Sequence, residues 1–348
     1  MNPIQYCLPK LGVLCLMVVT SYSVGAVDDL EPQPPVAEIH PTVLESHGVK
    51  RTDNYYWLRE RENPKVIAYL EAENEYTEQM MSGIKPLEDS LFEEIKGRIK
   101  QDDSTVPYLD RGYIYYTRFE EGLQYPIFCR RADQEGAIEE VMLDVNQLAE
   151  GKEYCSVSRV RVSPDSKKIA FSVDFTGRRK YNLRFKDLST GQLLPDEIDN
   201  ISGGCVWAAD SETVFFTRKD PVTLRAFLVV RHRLGASEKD EVAVFEETDE
   251  EFSCGVMTSR SREYIFIASR QTISTEYRYL AADDPTGEFK VFQPRTDGHE
   301  YSIDHLGDRF YIRSNDSAKN FRLFSVQESS PTRQQWAEVV PHRDNVLL

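Results

Sequence analysis

The sequence predicts an all-β fold, a β-propeller preceded by a short helical segment. First, a strand–turn–strand unit recurs about every 50 residues from Tyr108 onward. Asp165-Ser-Lys-Lys-Ile-Ala-Phe, Asp210-Ser-Glu-Thr-Val-Phe-Phe, Arg260-Ser-Arg-Glu-Tyr-Ile-Phe and Gly307-Asp-Arg-Phe-Tyr-Ile align, with starts 45, 50 and 47 residues apart. Asp110-Arg-Gly-Tyr-Ile-Tyr-Tyr is a looser copy 55 residues upstream of Asp165. Second, the apolar period becomes two after Pro107, as strands require. Third, no long helical segment interrupts the region. The 241 residues from Tyr108 to Leu348, at roughly 45–50 per blade, make about five four-stranded blades.

The elements follow in order. Residues 1–26 read as a secretory signal: Lys10, an apolar core from Leu11 to Val19, and small residues at Val24-Gly25-Ala26. That run is too short for a comfortable membrane span, and Val13 and Leu14 before Cys15 argue against a lipoprotein site. Residues 27–46 are acidic and Pro-rich, an exposed linker. A first helix has Asn63 as N-cap, Pro64 in its first turn, Val66, Leu70, Tyr76 and Met80 at helical spacing, and Gly83 as its stop. A second helix starts at Pro86, with Leu87, Leu91, Ile95 and Ile99 in an i, i+4 stripe and Glu88 and Asp89 in its first turn. That stripe needs a cover, and nothing nearby in the sequence provides one. Residues 27–107 thus form linker and helical segment, and residues 108–348 the propeller domain.

Within the propeller, Tyr113 to Phe119 is a strand, Glu120-Glu-Gly-Leu a turn, and Tyr125 to Arg130 the returning strand. Ser163-Pro-Asp-Ser, Leu188-Ser-Thr-Gly and Asp283-Asp-Pro-Thr-Gly are hairpin turns. Residues 235–241 read as a polar loop. Cleavage after Ala26 leaves Cys129, Cys155, Cys205 and Cys254, with no C-x-x-C pair and so no zinc signature. The last three lie 50 and 49 residues apart, near the innermost strand of successive blades. Two of them could bridge in an oxidising compartment; the favoured reading is small buried hydrophobes.

A core is affordable, with 40% apolar and 11% aromatic residues. The formal net charge of −16 argues against nucleic acid as a partner. Removal of Lys10 with the leader takes it to −17.

The stretch His47-Gly-Val-Lys-Arg-Thr-Asp-Asn-Tyr-Tyr-Trp-Leu-Arg resembles the prolyl oligopeptidase family, and more narrowly oligopeptidase B. The likeness continues through Tyr125-Pro-Ile-Phe-Cys-Arg-Arg, Arg178-Arg-Lys-Tyr-Asn-Leu-Arg-Phe-Lys-Asp-Leu, Val206-Trp-Ala-Ala-Asp-Ser and Lys219-Asp-Pro-Val-Thr-Leu. It runs on through His299-Glu-Tyr-Ser-Ile-Asp-His and Arg309-Phe-Tyr-Ile-Arg-Ser-Asn to Lys319-Asn-Phe, so it covers nearly everything from about residue 36 to the end and leaves the first 26 residues outside. The resemblance implies a serine peptidase with a seven-bladed propeller over an α/β-hydrolase domain, of which this chain holds the N-terminal portion, about five blades. It implies cleavage of short peptides after Lys or Arg, a gating propeller, and a hydrolase surface covering the Leu87–Ile99 stripe.

The family's nucleophile sits in a G-x-S-x-G elbow. No serine here has glycine at both flanking positions: Ser253 has Gly255 but Glu251, and Ser202 has Gly204 but Asn200. No catalytic residue is therefore assigned, and the chain is expected to be inactive alone. The histidines are His40, His47, His232, His299, His305 and His342. His299 and His305, flanking Glu300 and Asp304, match no metal-ligand spacing and read as structural residues of a strand pair. No metal or cofactor is expected. The acidic run Glu246-Glu-Thr-Asp-Glu-Glu reads as a solvated loop, or, in the functional alternative, as part of an acidic mouth drawing cationic peptides inward. The expected partners are short basic peptides, with no nucleic acid and no membrane after signal cleavage, in a periplasmic or secreted location. The alternative is a non-catalytic secreted propeller that binds a peptide or protein.

Overall fold

A computed structural model describes residues 32–348. The leader expected over residues 1–26 lies outside the described residues. The chain divides into two compact units at Ile99/Lys100.

In the first unit, strands β1 (Thr42–Ser46) and β2 (Val49–Asp53) pair antiparallel. His47 and Gly48 both have positive φ, the backbone that a two-residue hairpin turn needs. The end of the expected linker is thus a strand, because β1 finds a partner in the stretch after it. Trp57 is buried, its indole N–H donating to the Glu38 carbonyl at 3.0 Å and its ring stacked on His40.

Helix α1 (Pro64–Met81) is capped as its sequence predicts, Asn63 accepting from the Lys65 N–H at 3.0 Å. Of its expected apolar face only Val66 is buried. Gly83 is not a left-handed stop: the chain passes through a 3-10 turn at Ser82–Ile84 straight into α2 (Lys85–Gly97). Leu87, Leu91 and Ile95 on α2 are 58%, 47% and 60% exposed, so the stripe is uncovered within this unit. Ile99 lies past the helix end.

The second unit is five four-stranded antiparallel blades. Blade 1 is β3 (Tyr108–Asp110), β4 (Tyr113–Arg118), β5 (Ile127–Ala132) and β6 (Glu140–Asp144). Asp103 and Thr105 already hydrogen-bond to the end of β4. A short helix α3 (Val145–Ala149), capped by Asp144, leads to blade 2. Blade 2 is β7 (Ser156–Val162), β8 (Lys168–Asp174), β9 (Tyr181–Asp187) and the first half of β10 (Leu193–Trp207).

The second half of β10 is the innermost strand of blade 3, followed by β11 (Thr213–Lys219), β12 (Ala226–Arg233) and β13 (Val242–Glu246). Blades 2 and 3 therefore form one seven-stranded sheet, β13-β12-β11-β10-β9-β8-β7. Ile201 is the crossover, paired with Tyr181 of β9 on one side and Arg218 of β11 on the other. Blade 4 is β14 (Ser253–Thr258), β15 (Tyr264–Arg270), β16 (Thr275–Ala281) and β17 (Lys290–Gln293). Blade 5 is β18 (Tyr301–Leu306), β19 (Arg309–Ser314), β20 (Arg322–Gln327) and β21 (Ala337–Val340).

The aligned turns all join the first two strands of a blade, and each contains a positive-φ residue: Arg111, Ser166, Ser211, Arg262 and Gly307. The second strand of each blade explains the apolar runs. Ile169 to Val173, Val214 to Phe216 and Ile265 to Ala268 are buried on both faces, because each blade is packed between neighbours. Four buried clusters result. Tyr115 and Phe171 belong to that between blades 1 and 2, Phe185 and Trp207 to that between 2 and 3, Phe215 and Ile265 to that between 3 and 4, and Phe266 and Phe310 to that between 4 and 5. Each fully buried aromatic or branched side chain contributes roughly 1.5–3 kcal/mol.

Candidate functional site

The innermost strands enclose a cavity of about 1100 Å³. Its wall comes from all five blades: Tyr108 and Asp110, Arg159 to Val162, Ser202 and Gly204 to Trp207, Gly255 to Thr258, and Asp304. The wall is held by hydrogen bonds that run from blade to blade near the first turns. Arg111 donates to the Ser163 carbonyl at 3.1 Å, and the Trp207 indole donates to the Arg161 carbonyl at 3.1 Å. Asp165 N–H donates to Ser211 Oγ at 3.0 Å, and Ala209 N–H to the Ala282 carbonyl at 2.8 Å. Arg260 N–H donates to Asp304 Oδ1 at 2.7 Å.

The charge of this wall is the reverse of the chain's. Arg111, Arg159, Arg161, Arg260 and Arg262 line the cavity, and Asp110 and Asp304 are the acids among its lining residues. Arg262 Nη1 lies 2.8 Å from Asp110 Oδ1. Burial, reinforced by the neighbouring Arg262 cation, lowers the Arg111 pKa. Burial also raises the Tyr108 phenol and pushes the Cys205 thiol up to about 12, so both stay neutral at pH 7.

The acidic run Glu246–Glu251 is not among the residues lining the cavity, so the alternative reading of it as part of an acidic mouth finds no support in this wall. Glu247 is buried and pairs with Arg295 at 2.9 Å and with the Ser269 hydroxyl. Burial opposes its ionisation, but Ser269, the Asp249 N–H and Arg295 outweigh that and lower its pKa. The run reads as solvated in sequence because its spacing gives no hint of Arg295, 48 residues on.

The histidines are structural in their contacts. His299 Nε2 meets Ser314 Oγ at 2.8 Å, in a turn before β18 rather than on a strand pair. His305, fully buried, has its Nδ1 2.9 Å from Ser261 Oγ and its Nε2 2.9 Å from Glu328 Oε2. Asp304 accepts the Arg260 and His305 N–H groups. Among the described residues, the donor group the fold assembles is Glu263, His305 and Glu328, with ligand atoms within 4.8 Å of one another. Both imidazole nitrogens are already engaged, so the trio serves to tie blade 4 to blade 5. His232 on β12 of blade 3 meets the blade 2 half of β10, its Nε2 3.0 Å from Asp196 Oδ1.

Of the two serines compared with the elbow above, Ser202 lines the cavity on β10 and Ser253 opens β14. Neither sits on a strand-to-helix turn, and no histidine is among the residues lining the cavity. The four described cysteines are free and buried. Sequence reasoning missed the arginines. Their signal was Arg159-Val-Arg161, placed just after Cys155 where the innermost strand was expected to run.

Comparison with known proteins agrees with this architecture. Residues 34–348 match the family model described as prolyl oligopeptidase, N-terminal beta-propeller domain. The chain is 43% identical to dipeptidyl aminopeptidase BI of Pseudoxanthomonas mexicana, over 98% of this chain and 50% of that protein. That match extends into residues 1–26, which the oligopeptidase B resemblance left outside. Protease 2 of Moraxella lacunata is 33% identical, over 90% of this chain and 48% of that protein. Oligopeptidase B from Leishmania major superposes with a TM-score of 0.85 at 30% identity, over 91% of this chain and 47% of that one. The Trypanosoma brucei oligopeptidase B structure, a closed form with covalently bound antipain, gives 0.81 at 29% identity, over 90% of this chain and 47% of that one. The chain spans about half the length of the relatives it matches. With its blades, its helical lead-in and these matches in agreement, the chain belongs to the prolyl oligopeptidase family and carries that family's N-terminal β-propeller.

Proposed function

We propose that this chain is the gating propeller of an oligopeptidase B-like serine endopeptidase that cleaves short peptides after Lys or Arg. The observation that carries the reading is the cavity of about 1100 Å³ framed by the innermost strands, of a size for a peptide segment and far too small for a folded protein. The uncovered stripe of α2 supports it too, since an apolar helical face needs more protein to cover it. The cavity wall is cationic, so selection of a basic residue falls to groups outside it, and the Lys/Arg preference rests on the likeness to oligopeptidase B. Leader-directed export to the periplasm or beyond belongs to the same proposal and rests on the composition of residues 1–26.

The test has two arms. The purified 348-residue chain, given a fluorogenic peptide ending in Arg, should release no dye, because no serine in it has the elbow flanks. Any reading frame that continues past codon 348 into a G-x-S-x-G sequence is then expressed whole. It should hydrolyse peptides after Lys or Arg and spare folded casein-sized proteins. A preference for other residues, or equal cleavage of folded proteins, overturns the proposal. The relative named dipeptidyl aminopeptidase supports one further comparison: N-terminally blocked against free substrates, which separates internal cleavage from dipeptide removal.

A further inference from the structure

We propose that Arg159 and Arg161 on β7 form a carboxylate-binding site in the propeller cavity, which holds a peptide by its C-terminal carboxylate or by an Asp or Glu side chain. The inference deepens the reading of the cavity as a peptide passage and rests on it.

The first argument is which cations remain free. Among the arginines of the wall, Arg262 is paired with Asp110 at 2.8 Å. Arg111 is spent on the Ser163 carbonyl. Asp304 takes the Arg260 backbone N–H at 2.7 Å, with the guanidinium 3.9 Å away. Both wall aspartates are thereby occupied. The Arg159 and Arg161 side chains have no hydrogen bond or ion pair to any described residue, and both are exposed to the cavity. Two unneutralised cations in one concave wall attract anions, because low-dielectric walls focus the field. The guanidinium fork matches a carboxylate in a two-point contact.

The second argument is that the backbone is shaped to put them there. The β7–β8 ladder shifts register between Ser158 and Arg161. Ser158 faces Ser172 and Arg161 faces Ala170, so Arg159 and Val160 share the one residue between. Such a bulge re-aims side chains. Arg159 has a φ of +51°, a left-handed conformation costly for an arginine. The neighbouring inner strand yields space: a Cβ on Gly204 would stand 2.6 Å from Arg159 Cδ and 3.2 Å from its Cβ. Arg161 is anchored at its carbonyl by the Trp207 indole. An arginine needed only for solubility calls for no bulge and no glycine beside it.

The experiment is fluorescence anisotropy with the full chain and three labelled neutral hexapeptides in low salt. One has a free C-terminus, one is amidated, and one is amidated with a single internal Glu. At least one carboxylate-bearing peptide should bind tenfold or more tighter than the neutral amide, and the advantage should shrink at 0.5 M salt. Which of the two binds names the source of the carboxylate. Arg159→Gln with Arg161→Gln should remove the advantage while leaving the thermal midpoint unchanged, since neither side chain holds the fold. Gly204→Ala, whose Cβ meets the Arg159 side chain first, should remove part of it. Equal binding of acid and amide, or an undiminished advantage in the double variant, overturns the carboxylate site and leaves peptide passage standing. Binding of none of the three peptides overturns both.

Discussion

Arg262 and Asp110 meet at 2.8 Å across the cavity, the turn of blade 4 reaching the first strand of blade 1. The ring of innermost strands is therefore tied by side chains between blades that share no buried cluster among the described residues. The two side chains are 45% and 28% exposed, so water screens the pair and its contribution is about 1 kcal/mol or less. Asp110→Asn should lower the Tm by about 2–4 °C at most for a domain of this size. Raising the salt should shrink the difference. A fall of more than about 8 °C would mean that the pair closes the wall rather than decorates it.

The pH dependence of stability should carry a signature of His299. Burial, with Arg333 nearby, lowers its pKa from the ordinary histidine value of 6.5. Below that value the unfolded chain takes up a proton that the native imidazole refuses. Stability from this site is thus complete above about pH 6.5 and drains away as pH falls toward the lowered native value. His299→Gln keeps a partner for Ser314 but cannot titrate. It should be less stable than the parent at pH 8, and the gap should narrow on going to pH 5.5. A gap that stays constant across that interval, measured by thermal melts, contradicts the assignment.

Much of the fold could be read from the sequence because turn chemistry is local. Asp165-Ser166, Asp210-Ser211 and Gly307 announce tight turns whatever surrounds them, and the residues with positive φ fall there. Three features could not be read. The β1–β2 hairpin hid because its strands follow a Pro-rich stretch and are mostly exposed, so no alternation marks them. The sharing of β10 by two blades was masked by Asn200, Gly203 and Gly204, which look like a loop but serve as the bulged crossover. The cationic wall was hidden by the net charge, which sums over the whole surface. Arg159 sits in a bulge of β7, and a bulge has no signature in a period-two count.

The cysteines should be inert in the folded protein. Burial pushes the Cys129 thiol up to about 11, and the Cys205 and Cys254 thiols to about 12, while Cys155 is raised as well. Thiolate is the reactive form, so iodoacetamide at pH 8 should leave these four unmodified in the native chain and label all four in guanidinium chloride. Peptide mapping reads the result residue by residue. Recovery of a Cys205–Cys254 crosslinked peptide without reductant would contradict the free, buried state.

The stripe on α2 should be silent in the stability of this chain. Leu91 and Ile95 are 47% and 60% exposed, so Leu91→Lys with Ile95→Lys removes little buried surface. The change in unfolding free energy should stay within about 0.5 kcal/mol, while self-association in sedimentation should weaken. A loss of several kcal/mol would show the stripe packed in solution.

Ile201 should be the costliest single truncation in the propeller's early blades. It is fully buried, and its backbone is the one place where β10 pairs with both β9 and β11. Its side chain lies in the cluster with Phe185, Trp207 and Phe216, drawn from both blades. Ile201→Ala removes three carbons from that cluster and leaves a cavity at the crossover, which costs about 2–5 kcal/mol. Ile201→Val, which keeps most of the volume, should cost about 0.5–1.5 kcal/mol. Because the strand belongs to two blades, denaturant unfolding of the alanine variant should remain a single transition with an unchanged slope and a lower midpoint. Two separated transitions would mean that blades 2 and 3 unfold independently, and that the shared strand is a connector rather than the seam that couples them.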